Sequence, residues 1–363
     1  MAVAVLPPPR LRQGGTVAPV RRRRGDEASS ATSSTCATEM RVSTGPAAAA
    51  AAAAAPRNCD GMRIGDLTSY KRLRSIGGGA FGVVWKARHG HTGEVVTIKS
   101  VRSGGEALLL EAAMLAACAG NPAVVELREV ARGGGAGAGM DDDLHLVMEF
   151  VGPSLHDVIG ARRRAGRPFT ESEVRRVVRR LLTGAATMHG HGVVHCDLKP
   201  GNVLVGEDDG RGRAIKICDL GLARSMAAPP PEPDARRLEG TLWYMAPEQL
   251  LGDSKDVGAP ADVWALGCIM VELVAGEPLF REDTVHEQVA SIVRLLGIPD
   301  EVSLMPLGVS ASTPSQIRDM VPEAQLSPAG FDVLRALLEF DHKDRITAAA
   351  ALQKPWFAMK DDD

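Results

Sequence analysis

No apolar run in this sequence is long enough to span a membrane. The longest candidate, the nine alanines Ala47–Ala55, is too short and too weakly hydrophobic. There is no C-x-x-C pair among the six cysteines and no His/Cys cluster with zinc spacing, so neither a zinc framework nor a disulfide scaffold is expected. Free thiols in a reducing compartment are the expectation. No G-x-x-x-x-G-K-[ST] occurs, which argues against a P-loop nucleotidase. A strong excess of either charge is also missing. Net charge is -3 and pI about 6.3, so no general attraction to nucleic acid is implied, and neither nucleic acid nor membrane is an expected partner.

What is present divides in two. Residues 1–62 hold a Pro triplet, a basic run at Arg21–Arg24, a Ser/Thr-rich patch and the alanines ended by Pro56. Large apolar residues are sparse, so burial cannot offset ordering entropy, and a disordered tail is expected. The basic run reads as solvated charge, as a nuclear signal or as part of an organelle transit peptide. Nucleus and cytoplasm are the expected compartments. Residues 358–363 form a short acidic end.

From Tyr70 the pattern is globular. "YKRLRSIGGGAFGVVWKAR" and "GEVVTIKSV" read as strand, Gly-rich turn, strand, turn, strand. "EALLLEAAMLAAC" reads as a helix, and "VVELREV" and "LHLVMEFV" as strands about a Gly/Asp loop. After Pro153 the signals turn helical. "TESEVRRVVRRLLTGAATMH" opens with a capping box, Thr170 and Glu173, and repeats apolar residues at the helical period. Its arginines Arg175, Arg176, Arg179 and Arg180 read as the wet face. Further helices are expected at 262–275, 284–296, 328–338 and 347–353. The expectation is α+β: a mostly antiparallel sheet with one helix over residues 70–152, then a mainly helical part over 153–357.

Several short stretches carry chemistry. Gly77–Gly82 matches G-x-G-x-x-G but is followed by a strand rather than a helix, which excludes a dinucleotide fold. A Gly-rich hairpin instead lets backbone N–H groups approach phosphate oxygens. Lys99 lies in the apolar strand "VTIK". It reads either as an edge lysine facing solvent or as a phosphate-binding cation held by a helix carboxylate, for which Glu111 is a better candidate than Glu106. In "HCDLKPGNVL", Asp197 can orient and deprotonate a hydroxyl, and Lys199 can neutralise a transferring phosphoryl group. Asn202, with Asp219 of "CDLGLAR", can offer oxygens to Mg²⁺.

In this order and spacing, "IGGGAFGVV", "VTIK", Glu111, "HCDLKPGNVL", "DLG" and the "APE" of 246–248 resemble the eukaryotic protein kinases. The resemblance implies a bilobal kinase fold that binds ATP and Mg²⁺. The nucleotide would meet Ile76, Gly77, Gly78, Gly79, Ala80, Phe81, Gly82, Val83, Val84, Lys99 and Glu111. Its base would sit under a hinge at Glu149–Val151, with Met148 behind. It implies that Asp262 braces the Asp197 loop and that Arg345 pairs with Glu248. "DLKP" with Thr241 implies protein serine/threonine substrates. "GTLWYMAPEQLLG" and "IVRLLGIPDE" resemble cyclin-dependent kinases, including the divergent plant F-type. The competing reading is a scaffold on the same fold that binds without catalysing.

Departures from that family are concentrated in regulation. The activating Thr position is Arg236, two of the three clasping arginines are Cys196 and Leu110, and only Arg224 remains. The usual phospho-switch is therefore not expected. Asp234 or Glu232 could pair with Arg224 instead. The inhibitory Thr-Tyr places hold Ala80 and Phe81. The helix reads "SGGEALLLE" in place of a P-S-T-A-I-R-E-like signature, which weakens the implied cyclin partner. Met245 stands where the family's proline-selecting arginine would be, so proline selectivity is expected to be weak.

Overall fold

The computed structural model describes residues 64–79, 82–101, 105–133, 144–208, 212–227, 239–252, 258–297 and 315–359. The tail of residues 1–62, Ala80, Phe81, Pro229–Arg236 and residues 360–363 lie outside them, and with them the expectations placed there.

The first part is a six-stranded sheet of order β1-β5-β6-β4-β3-β2. Its strands are β1 (Ile64–Asp66), β2 (Tyr70–Gly79), β3 (Gly82–His89), β4 (Val95–Ser100), β5 (Leu127–Arg132) and β6 (Leu144–Glu149). All pairs are antiparallel except β1 with β5. Ordered structure thus starts before Tyr70. The three residues of β1 carry no periodicity that the sequence could have revealed. The β2–β3 hairpin closes at the Gly79–Gly82 pair. Gly82 has φ +140, and a Cβ there would lie 2.0 Å from the Ser100 carbonyl oxygen, so only glycine fits. One helix, α1 (Gly105–Ala117), packs against the sheet, burying Leu108, Glu111, Ala112, Met114 and Leu115.

The second part is helical. It comprises α2 (Leu155–Arg164), α3 (Glu171–Gly190), α4 (Pro247–Leu250), α5 (Ala259–Ala275), α6 (Val285–Leu296), α7 (Ile317–Met320), α8 (Pro328–Leu337) and α9 (Ala348–Ala351). Short antiparallel pairs add β8 (Val203–Asp208) with β9 (Arg213–Ile217), and β7 (Val193–Val194) with β10 (Arg224–Ser225). The expected capping box at Thr170 and Glu173 is formed. α5 is almost wholly buried and carries the centre of the core, with Trp264, Ile269, Met270 and Val271 at 0% exposure. Such all-round apolarity marks an interior helix.

The wet-face reading of the α3 arginines fails at one residue. Arg175 is buried. It stands three residues before Val178 and seven before Leu182, on the side of the helix that faces the core. Arg176, Arg179 and Arg180 are exposed as expected.

Candidate active site

β4 lies between β3 and β6, so Lys99 is on an interior strand and is buried, contrary to an edge lysine facing solvent. Its ammonium donates to both Glu111 carboxylate oxygens, at 2.8 and 2.6 Å, and to Asp219 Oδ1 at 2.6 Å. Glu106, in the exposed first turn of α1, takes no part. Burial disfavours the Lys99 charge, but Glu111 and Asp219 outweigh it and raise its pKa. For Asp219 too, burial opposes ionisation, and Lys99 nevertheless holds its carboxyl below the usual carboxylate range. Burial pushes the Glu111 carboxyl up, and Lys99 works against that. The site therefore keeps a charged lysine between two carboxylates of the sheet–helix unit and the DLG segment.

Asp197 follows β7, and its carboxylate is enclosed by donors. Lys199 Nζ donates to Oδ2 at 2.7 Å and Asn202 Nδ2 at 3.2 Å, while Thr241 Oγ1 donates to Oδ1 at 2.8 Å. Lys199 also donates to Thr241 Oγ1 at 2.6 Å, which closes a ring of Asp197, Lys199 and Thr241. Asn202 Nδ2 further donates to the Asp197 carbonyl at 2.9 Å. The amide nitrogen is thus spent on Asp197, and the amide oxygen is the atom left for a cation.

Two non-glycine residues among those described have left-handed backbone, Cys196 at φ 66 and Asp219 at φ 64. Each costs on the order of 1–2 kcal/mol. Both lie at the two carboxylates just described, and both are held. Asp262, at the start of α5, accepts from the N–H of His195 at 2.8 Å and of Cys196 at 2.9 Å. His189 Nε2 is 2.9 Å from the same carboxylate. The resemblance-based bracing role of Asp262 is thus matched in geometry. His195 is fully buried and links the two loops. Its Nδ1 accepts from the Asp197 N–H at 3.3 Å, so Nε2 carries the proton and donates to the Cys218 carbonyl at 3.0 Å. Nothing in the sequence pattern singled out His189 or His195 for this.

Cys196 lies in surroundings that disfavour a thiolate. Burial, aided by the Asp262 charge, pushes its thiol up to about 12. Arg224 pairs with Glu239 at 3.6 Å, and the expectation placed on Asp234 and Glu232 lies outside the described residues. Met245 is buried and packs beside Gly240, whose φ is +120. Arg345 meets Glu248 with two bonds of 2.7 and 3.0 Å, as expected, and also donates to the carbonyls of Glu339, Pro260 and Phe340.

At the hinge, Glu149 accepts from the Glu126 N–H at 2.8 Å and pairs with Lys216 of β9. The lysine inside the apolar "AIKI" strand was the signal available for that pair. On β4, Ser100 lies opposite Val83 and Lys99 opposite Val84, so Val84 shares the sheet face of Lys99 and Val83 the other. Ile76 is exposed on β2.

The donor set suits a hard cation. Asn202 and Asp219 offer an amide and a carboxylate oxygen. Among the described residues no three His, Cys, Asp or Glu side chains converge as a metal site. With Mg²⁺ bound, these two oxygens are the protein atoms that would hold it beside the nucleotide phosphates.

A family model for the protein kinase domain matches residues 70–357. The putative cyclin-dependent kinase F-2 of Oryza sativa subsp. japonica is 44% identical over 311 residues, covering 80% of this chain and 90% of that protein. Cyclin-dependent kinase G-2 of Oryza sativa subsp. indica is 37% identical over 83% of this chain and 43% of its own length. Cyclin-dependent kinase B2-2 of Arabidopsis thaliana is 34% identical over 81% of this chain and 94% of its own. The lysine–carboxylate cluster, the closed ring on Asp197 and these matches agree, and the chain belongs to the protein kinase family as a cyclin-dependent-kinase-like serine/threonine kinase.

Proposed function

We propose that this kinase is catalytically competent, transfers the ATP γ-phosphoryl group to serine or threonine hydroxyls of proteins, and does so without phosphorylation of its activation segment. The observation that carries the catalytic half is the Asp197–Lys199–Thr241 ring, which fixes one carboxylate beside one ammonium. Asp197 accepts the hydroxyl proton as the oxygen attacks the γ-phosphorus. The bond to the β-phosphate oxygen breaks, leaving ADP. Lys199 offsets charge on the transferring group, and Lys99, positioned by Glu111, holds the other phosphates. Asn202 and Asp219 would hold Mg²⁺, which neutralises charge on the nucleotide phosphates. Ile76, Gly77–Gly82, Val83 and Val84 are read as the cover over the nucleotide, and Glu149 and Val151 as its hinge contacts.

The regulatory half rests on missing parts. Arg236 replaces the phosphoacceptor, and Cys196 and Leu110 replace two clasping arginines. The remaining Arg224 has an acid of its own segment, Glu239, as partner. Cyclin dependence fits poorly with α1, which directs Leu108, Met114 and Leu115 inward and leaves Leu109 as its exposed leucine.

The test is phosphorylation of a generic protein substrate by phosphatase-treated recombinant chain with ATP and Mg²⁺, beside Asp197→Ala. Activity without any upstream kinase, lost in the variant, is expected. Equal signals from both proteins would return the scaffold reading, and activity appearing only after segment phosphorylation would sink the regulatory half.

A further inference from the structure

The β2–β3 hairpin carries a charge pattern that its own packing does not use. Lys71 stands directly opposite Arg88, and Arg74 directly opposite Lys86. Like charges opposite each other destabilise a strand pair. A bulge makes the arrangement possible. Lys71 and Arg74 are three apart and would face opposite ways in a regular strand. Leu73 is an extra residue between the Arg72–Ala87 and Arg74–Lys86 pairs, and it returns the two cations to one side. Lys86 and Arg88, two apart on β3, share that side. Four cations thus stand on one face as two cross-strand pairs.

None of the four is neutralised inside the fold. Among the described residues none is paired with a carboxylate: Glu94, just before β4, pairs with Arg128, and Glu129 of β5 accepts from Tyr70. The side chains of Lys71 and Arg74 make no bond among the described residues. Arg88 gives one of its five N–H donors to the Gly93 carbonyl at 3.0 Å, and Lys86 Nζ lies 3.7 Å over the Phe150 ring. Lys71, Arg74 and Arg88 are exposed and Lys86 is half-buried. Charge on β2 alone would be explained by its place at the outer edge of the sheet, where cations discourage a further strand. That does not reach Lys86 and Arg88, which lie on the interior strand β3. Acids at those two positions would guard the edge equally and without repulsion.

We propose that this face binds an extended segment of a partner protein that is phosphorylated on two residues, i and i+2. A phosphorylated side chain carries about -1.5 to -2 at neutral pH and accepts charge-assisted bonds, so each cross-strand cation pair matches one phosphate. Along β3 the two pairs are two residues apart, about 7 Å. Side chains i and i+2 of an extended peptide point the same way at that same repeat. Carboxylates at this spacing would bring about half the charge, so a phosphorylated segment fits better than an acidic one. Single-stranded nucleic acid binds through aromatic platforms, and Trp85, beside Lys86 on β3, faces the other side of the sheet.

The probe is a fluorescent peptide with two phosphoserines separated by one valine in an otherwise uncharged sequence. It is titrated into the full chain by anisotropy, with ADP and Mg²⁺ in excess. The controls carry two adjacent phosphoserines, or one. Saturable binding is expected, about tenfold or more tighter than for either control. Raising ionic strength from about 0.05 M to about 0.5 M should weaken it. The double variant Lys71→Thr/Arg74→Thr removes one cation from each pair and breaks no side-chain bond among the described residues. It should weaken binding about tenfold or more, with the melting temperature unchanged or higher because the like-charge pairs are gone. Binding is read without catalysis, so the result is independent of the proposed kinase activity. No binding by the wild type, equal binding of either control, or indifference to the double variant would overturn the proposal. Equal binding of an oligothymidylate of matching charge would mark a general polyanion surface and overturn it as well. Binding only when ADP is left out would place the phosphates at the nucleotide site, with the same consequence.

Discussion

Replacing Thr241 with valine removes one oxygen and almost no volume. That oxygen has two roles in the ring, donating to Asp197 Oδ1 at 2.8 Å and accepting from Lys199 Nζ at 2.6 Å. Thr241→Val leaves Asp197 with Lys199 and Asn202 as partners, and leaves Lys199 with Asp197 alone. The lost bonds involve charged groups, for which about 1.5–3 kcal/mol is typical. If that energy is expressed in positioning the base and the ammonium for transfer, kcat should fall about 10- to 150-fold. KM for ATP should hold, because Thr241 bonds Asp197 and Lys199, whereas Lys99 is bonded to Glu111 and Asp219. Thr241→Ser restores the hydroxyl and should recover most of the rate. Steady-state kinetics on a generic serine substrate, with melting temperature as a folding control, decides the matter. An unchanged kcat would refute the ring's catalytic importance. A serine variant as slow as the valine variant would show that the methyl packing, not the hydroxyl, mattered.

Two further perturbations follow from the buried charges. Arg345→Met should cost about 3–5 kcal/mol in stability, since it strands a buried Glu248 and three carbonyls without their donor; urea midpoints measure it, and a change within about 1 kcal/mol of zero would contradict the geometry. Burial alone would raise the Asp262 carboxyl, but His189 and the His195 N–H hold it below its ordinary 3.8. Its contribution is therefore present above that value and lost as pH falls through the lower folded-state pKa. Asp262→Asn should destabilise the fold near neutrality and flatten the acid limb of stability against pH. Parallel profiles for variant and wild type would rule out this source of acid sensitivity.

The parts legible in sequence were those fixed by short spacing or local period. Lys99 in an apolar strand needed a carboxylate, and Glu111 was the helix acid placed deeper among apolar residues; the pair is formed. The capping box at Thr170 was readable because both halves lie within one turn. What escaped reading depends on chain segments that meet only after folding. Glu239 lies beside Arg224 although distant from it in sequence, and no local rule marks that pairing. The arginines of α3 read correctly as exposed at Arg176, Arg179 and Arg180. Arg175 is buried because its phase matches that of Val178 and Leu182, which outweighs the polarity of its residue type.

The described ends of the activation segment are both bonded to the body of the second lobe. A phosphothreonine clasp would add one to three charge-assisted bonds. The Arg224–Glu239 pair is no equal substitute: both side chains are 40% or more exposed, and such a pair contributes about 0.2–1 kcal/mol. The geometry places the stronger restraints elsewhere. β10 pairs with β7, directly before His195, and the Met226 N–H donates to the Gly192 carbonyl at 2.8 Å. At the far end Thr241 bonds Asp197, Trp243 Nε1 donates to the Glu282 carbonyl at 3.0 Å, and Tyr244 donates to buried Glu272 at 2.6 Å. Each end is thus tied to the body of the second lobe by bonds that no modification creates. Cys196 fits this arrangement. Its left-handed backbone, directly before Asp197, is held by Asp262. The backbone at residue 196 is thus fixed through its own N–H, whatever side chain it carries.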